Sequence, residues 1–184
     1  MRDPRPILFH DVASKFGWCE GVPGELPTFG SARFAPEGAA SPAYFGGAFK
    51  WAATKFQETV YRAVFIEAPL DPRHLGQRTT RDTGLRLIGL PAAIAAAAHL
   101  CRIYDFRELR ADDIRIDLLG RRLKRAEAKP AVIGALQALG YAVADPDAAD
   151  ALAGWRHACR LLSPSIEHAV PMSLQIAGRL DRGH

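Results

Sequence analysis

Four acidic residues stand where acids are costly. Asp11 closes the apolar run Ile7-Leu8-Phe9-His10-Asp11, and Glu67 closes Val64-Phe65-Ile66-Glu67. Asp147 and Asp150 lie three apart in Asp147-Ala148-Ala149-Asp150-Ala151-Leu152-Ala153. A carboxylate at the end of a core strand needs a partner or a task, because desolvating it alone is expensive. Residues at i and i+3 share one helical face, and the first turn of a helix favours anions. Singly, each acid has an ordinary use: Asp147 could cap its helix, and Asp11 could open a turn. Jointly, carboxylates on rigid elements suit magnesium, which takes carboxylate and water oxygens; manganese is a possible substitute. Two such ions about 4 Å apart activate water and stabilise a leaving oxygen, which is phosphodiester hydrolysis.

The elements that must position these acids can be read from pattern. Ile7 to Val12 is a short apolar run, predicted as a buried strand. Phe16 to Glu20 predicts a second strand, and Gly21-Val22-Pro23-Gly24 a turn. Leu26 to Phe34 predicts a third, despite Pro27 inside it. Ser41 and Pro42 predict a helix start, with Ser41 as cap. That helix carries Phe45, Phe49, Trp51 and Phe56 as core aromatics and runs to about Thr59. Tyr61 to Glu67 predicts a fourth strand, parallel to a neighbour because it follows a helix. Arg81 to Leu100 is helical, with Pro91 expected to kink it or start a new segment. Cys101 to Phe106 predicts a fifth strand. Helices follow over Arg110 to Leu118, Lys129 to Leu139, and from Asp145 or Asp147 to about Leu162. Three sequential strands and then α/β alternation give an α/β fold: a five-stranded mixed sheet, part antiparallel meander and part parallel, with helices on both faces.

The chain has 184 residues, 48% of them hydrophobic, which is enough for one well-packed domain. We expect that domain over residues 1–162, followed by a tail over 163–184. The net charge of +4 permits an anionic partner. Cys19, Cys101 and Cys159 are far apart and form no CxxC pair, so zinc and disulfides are poor readings and reduced thiols are expected. No signal-peptide pattern opens the chain, and the apolar run Ile88 to Ala98 is too short to span a bilayer. The expectation is a soluble cytoplasmic protein, with no membrane partner and no organic cofactor.

The pattern Asp-x-x-Ser-x-x-Gly-Trp at 11–18, Phe-Ile-Glu at 65–67, Lys129, and Asp-Ala-Ala-Asp-Ala-Leu-Ala at 147–153 resembles the RuvC-type Holliday junction resolvases. More narrowly, it resembles their shorter phage-type and prophage-type relatives. The likeness covers about residues 6–160, and its last segment is the most specific. It implies a ribonuclease H-like fold, a homodimer, and magnesium-dependent hydrolysis of branched DNA that leaves a 5′-phosphate. It also implies that Asp11 bridges two metals, Glu67 holds one and Asp150 the other, with Asp147 as a fourth acid. Lys129 would stand at a helix start, near the scissile phosphate. One departure concerns the substrate. Bacterial resolvases of this type place a stacking aromatic soon after the strand-ending glutamate, and no Phe, Tyr or Trp lies between Glu67 and Thr80. Cleavage of flaps, RNA–DNA hybrids or packaging DNA by a related nuclease therefore stays open, as does a non-catalytic binding module.

Two basic stretches flank the acids in sequence. Arg73, Arg78 and Arg81 lie in the first, and Arg121, Arg122, Lys124 and Arg125 in the second. Either could be an ordinary solvated face, but their placement fits phosphate contacts. With no base-reading motif, recognition by shape is the better expectation. His157 shares a helical face with Asp150 and could approach the site, although packing is the commoner role for such a histidine. His10 should point to the opposite side of its strand from Asp11.

Overall fold

The central strand is β1 (Ile7–Asp11), and everything that positions the acids is arranged around it. The computed structural model describes residues 3–69 and 80–171. β1 pairs antiparallel with β2 (Lys15–Gly21), which pairs antiparallel with β3 (Thr28–Arg33). Helix α1 (Ser41–Glu58) then crosses to β4 (Ala63–Glu67), parallel to β1. Helix α2 (Arg81–Leu100) crosses to β5 (Phe106–Leu109), parallel to β4. Helices α3 (Ala111–Leu119), α4 (Arg125–Ala138) and α5 (Pro146–Leu162) complete the order, and the sheet reads β3-β2-β1-β4-β5. The five-stranded mixed sheet and its meander are as the sequence predicts.

Strand alternation divides the core in two. Ile7 and Phe9 pack with Leu136, Leu152 and Trp155 on the α3–α5 side. Leu8 packs with Tyr44, Ala48, Leu90 and Ile94 on the α1–α2 side. His10 follows Leu8: it is fully buried, with its ring edge-on to Trp51 at 4.5 Å, so it does face away from Asp11's side of the strand. Burial holds its imidazole down at about 3, and it is neutral at ordinary pH.

Several local expectations are corrected. The fifth strand starts at Phe106, because residues 101–103 close α2 instead. The Cys101 N–H bonds Ala97 O, the Ile103 N–H bonds Ala98 O, and Arg102 turns the chain with φ 61°. β3 starts only after Pro27, which cannot donate to a ladder. Ser41 does not cap α1: Ala40 occupies that position, and the Ser41 hydroxyl accepts from Arg86 Nε at 3.3 Å. Along α1, Tyr44 and Phe56 are buried and Phe45 and Trp51 partly so, whereas Phe49 is 37% exposed. Pro91 lies inside α2, which continues as one helix. α4 begins at Arg125 rather than Lys129, so Lys129 sits in its second turn. Pro130 in that helix frees only a carbonyl near an exposed helix end, which water can satisfy. Cys19, Cys101 and Cys159 are free thiols.

Helix α2 is long and apolar enough to cross a membrane by length and composition alone. One face, with Leu90, Pro91, Ile94, Ala97 and Ala98, is buried. The opposite face leaves Leu85 43% and Ile88 55% exposed.

Candidate active site

Parallel pairing decides where the first two acids meet. The register runs from Ile7 opposite Ala63 to His10 opposite Ile66. One step further sets Asp11 beside Glu67, at the carboxyl ends of two adjacent parallel strands. Such ends are where open α/β sheets hold ligands.

Helix α5 brings the other two acids. Asp145 is its N-cap, and one carboxylate oxygen accepts from the N–H groups of Asp147 and Ala148, each at 3.0 Å. Asp147 therefore does not cap the helix, and its side chain is released toward the sheet. Close approach of α5 depends on two glycines. Gly17 lies opposite Asp11 in the β1–β2 register, and a Cβ there would stand 1.9 Å from the Asp147 carbonyl oxygen. A Cβ on Gly154 would stand 2.2 Å from the Phe9 ring. Further along α5, the buried Trp155 indole N–H donates to Ile7 O at 3.1 Å, fixing helix to strand.

The result is one cleft of about 320 Å³, lined by Asp11, Glu67, Asp147, Asp150, Lys129 and Arg115 among others. All four predicted acids and Lys129 meet there. Burial, reinforced by Glu67, Asp150 and Asp147, pushes the Asp11 carboxyl up to about 8. Burial also raises Asp150, against the pull of Lys129 and Arg115. Lys129 Nζ stands 3.3 Å from Asp147 and 3.8 Å from Asp150. Lys15 pairs with Asp145 and stands 3.0 Å from Asp147. Burial alone would raise Asp145, but Lys15 and the helix N–H groups outweigh it and hold that carboxyl low.

The donors are all carboxylate oxygens, the chemistry of a hard divalent cation. Among the described residues, no three acid, imidazole or thiol groups converge tightly enough to form a finished cation cage. Instead, a carboxyl raised to about 8 and two lysines offset a concentration of negative charge. A divalent ion fits such a site by displacing the proton and loosening the lysine pairs.

Arg115 and Lys15 were not anticipated from sequence. Arg115 sits in Asp112-Asp113-Ile114-Arg115, which reads as an ordinary helix start, and only the packing of α3 against α5 turns it into the cleft. His157 is not in the cleft; its Nδ1 lies 3.3 Å from Asp117, which also pairs with Arg160 at 3.2 Å, joining α3 to α5. Of the predicted DNA contacts, Arg81, Arg121, Arg122 and Lys124 are exposed. Arg122 stands 3.4 Å from Asp112, and Arg125 opens α4. Arg73 and Arg78 lie outside the described residues.

No family model matches the sequence, and no curated protein is detectably similar to it in sequence. Solved structures are similar. A Thermus thermophilus RuvC structure superposes with TM-score 0.63 at 15% identity, covering 87% of this chain and 97% of the other. T. thermophilus RuvC in complex with a Holliday junction substrate gives 0.63 at 18%, covering 85% and 94%. The yeast mitochondrial Holliday junction resolvase Ydc2 gives 0.54 at 13%, covering 88% and 86%. Sheet order, helical layers and these superpositions agree: the chain has a ribonuclease H-like α/β fold of the RuvC kind.

Proposed function

We propose that this protein is a divalent-metal-dependent endonuclease that hydrolyses phosphodiester bonds in branched DNA, as a Holliday junction resolvase does. The observation that carries this reading is the convergence of Asp11, Glu67, Asp147 and Asp150 with Lys129 and Arg115 in one cleft at the carboxyl edge of β1 and β4. The fold, shared with a RuvC solved on a Holliday junction substrate, supports it. Similarity to bacterial and yeast mitochondrial resolvases supports a RuvC-like fold and does not single out a phage-type member.

In this mechanism Asp11 takes the central position between Glu67 and Asp150, and Asp147 is auxiliary. Magnesium, or manganese in its place, would be held by these carboxylates and would supply an activated water and charge stabilisation at the leaving oxygen. Lys129 and Arg115 face the same space and bind the scissile phosphate; Arg115 offers the planar fork suited to its oxygens. Once phosphate enters, Lys129 exchanges its carboxylate partners for phosphate oxygens. The products carry a 5′-phosphate. Arg81, Arg121, Arg122 and Lys124 extend the phosphate-binding surface, and Arg73, Arg78 and Arg125 are further candidate DNA contacts by their place in the sequence. The protein acts as a homodimer in the cytoplasm. What supports the dimer is the solvent-facing apolar row of α2, Leu85 and Ile88, which continues into exposed Ala92 and Ala96. Ile88→Glu should convert a dimer to a monomer in light scattering; an unchanged mass would place the interface elsewhere.

The activity test uses magnesium with a labelled four-way junction, a flap and a linear duplex. We expect junction cleavage, its loss in Asp150→Asn, and a decrease of roughly tenfold to a hundredfold in Arg115→Leu without loss of folding. Cleavage of the flap alone would replace the resolvase reading with that of a flap nuclease. No cleavage of any substrate would leave a binding module.

A further inference from the structure

Two lysines grip Asp147 from different sides. Lys129 Nζ stands 3.3 Å from Asp147 Oδ1, and Lys15 Nζ stands 3.0 Å from Asp147 Oδ2. Lys129 belongs to the cleft wall, whereas Lys15 does not and meets Asp147 from behind it. Strand alternation explains this placement. Lys15 opens β2, and Lys15, Gly17 and Cys19 share the face on which α5 packs. Phe16, between them, points into the α1–α2 layer.

The two grips differ in how easily they release. Lys129 is half-exposed, and its other contact, to Asp150, is 3.8 Å long. Lys15 has a second anchor. It donates to Asp145 Oδ2, while Asp145 Oδ1 accepts from the N–H groups of Asp147 and Ala148. Lys15, the helix cap and Asp147 therefore form one closed unit, which ties the start of β2 to the first turn of α5. A phosphate in the cleft competes for Lys129 but does not reach Lys15.

We propose that Lys15 is a positioning residue: it retains Asp147 Oδ2 and leaves Oδ1 as the oxygen that can face a cation once Lys129 moves to phosphate. The proposal rests on the nuclease reading above, which supplies both cation and phosphate. Magnesium keeps several waters and demands near-ideal octahedral geometry. An Asp147 free to turn could offer both oxygens, and the second would displace a water that hydrolysis requires. Holding that oxygen outside the cleft prevents the exchange. The Lys15 ammonium also weakens cation binding through its charge. Lys15 thus lowers affinity and secures placement.

The test reads metal binding and cleavage separately on the full chain, with thermal melts to show that each variant is folded. Mn2+ is titrated without DNA by loss of the free-ion EPR signal, and water-proton relaxation reports the waters on the bound ion. In Lys15→Gln, Mn2+ affinity should rise about threefold to tenfold, with about one bound water fewer. With magnesium and a four-way junction, kcat should fall about tenfold to a hundredfold at unchanged KM. Lys15→Arg keeps the charge and can still span two carboxylates, so it should restore the water count and most of kcat. Asp145→Asn keeps the helix cap and removes the anchor of Lys15, so its loss in kcat should not add to that of Lys15→Gln. An equal water count in wild type and folded Lys15→Gln overturns the positioning role while the nuclease stands. So do additive losses with Asp145→Asn, and so does a rise in KM at constant kcat, which would make Lys15 a phosphate contact. A water lost in Lys15→Gln and regained in Lys15→Arg, in a protein that cuts no junction, upholds the positioning role and removes the nuclease reading.

Discussion

Asp11→Asn will severely reduce cleavage and, in the absence of divalent metal, make the protein more stable. Asp11 is enclosed by the sheet end and faces Glu67, Asp147 and Asp150, which together with burial move its carboxyl from 3.8 to about 8. Between those values the folded chain holds a proton that the unfolded chain releases. Stability from this group is therefore full below about 4 and is lost as pH rises through about 8. Asparagine keeps the shape and removes the charge. We expect a gain on the order of 1–3 kcal/mol in EDTA near the upper end of that window, shrinking toward its lower end. Cleavage should fall by about a hundredfold to a thousandfold or more. Magnesium should raise the melting temperature of wild type more as pH increases, with proton release on binding, and should leave Asp11→Asn unmoved. Thermal melts across that pH window, with and without magnesium, check all three points. A wild type as stable as the variant in EDTA at the upper end would show that Asp11 carries no such strain.

Gly17→Ala is expected to damage both fold and site, although it adds one methyl group. That methyl would sit 1.9 Å from the carbonyl oxygen of Asp147, which is backbone and cannot swing aside. Either α5 lifts from β2 or β2 bends away from Asp11. The cost should be about 3 kcal/mol, the upper range for overpacking. Movement of Asp147 and Asp150 by about 1 Å should cost roughly a hundredfold in cleavage of whatever protein stays folded. Gly134→Ala is the control. Nothing lies within 4 Å of a Cβ at that exposed position in α4, so alanine should stabilise by about 0.5–1 kcal/mol and leave cleavage unchanged. Denaturant titration and single-turnover cleavage of both variants provide the comparison. Equal behaviour would remove the close α5–β2 approach from the account of the site.

The largest legible features were those set by local chemistry. Alternating and continuous apolar runs give β1, β2 and β4 within a residue or two, because core strands must bury both faces. The four acids were visible because charge at the end of an apolar run is unfavourable without a purpose. Where local signals competed, the longer-range packing won. Cys101 to Phe106 reads as strand by composition, yet α2 needs residues 101–103 to close its last turn. Lys129-Pro130 reads as a helix start, yet Pro130 is tolerated one turn inside α4.

Residue type and order by themselves determined which groups are available: carboxylates at two strand ends and one helix start, a lysine, and no aromatic between Glu67 and Thr80. Only the tertiary structure decided how those groups divide their work. Asp145 takes the cap, which frees Asp147. Gly17 and Gly154 let α5 reach the sheet. Arg115, unremarkable in sequence, is turned by α3 into the same cleft. Contacts between residues more than a hundred positions apart, such as Trp155 with Ile7, fix these outcomes. They depend on packing geometry between surfaces, which no local pattern encodes.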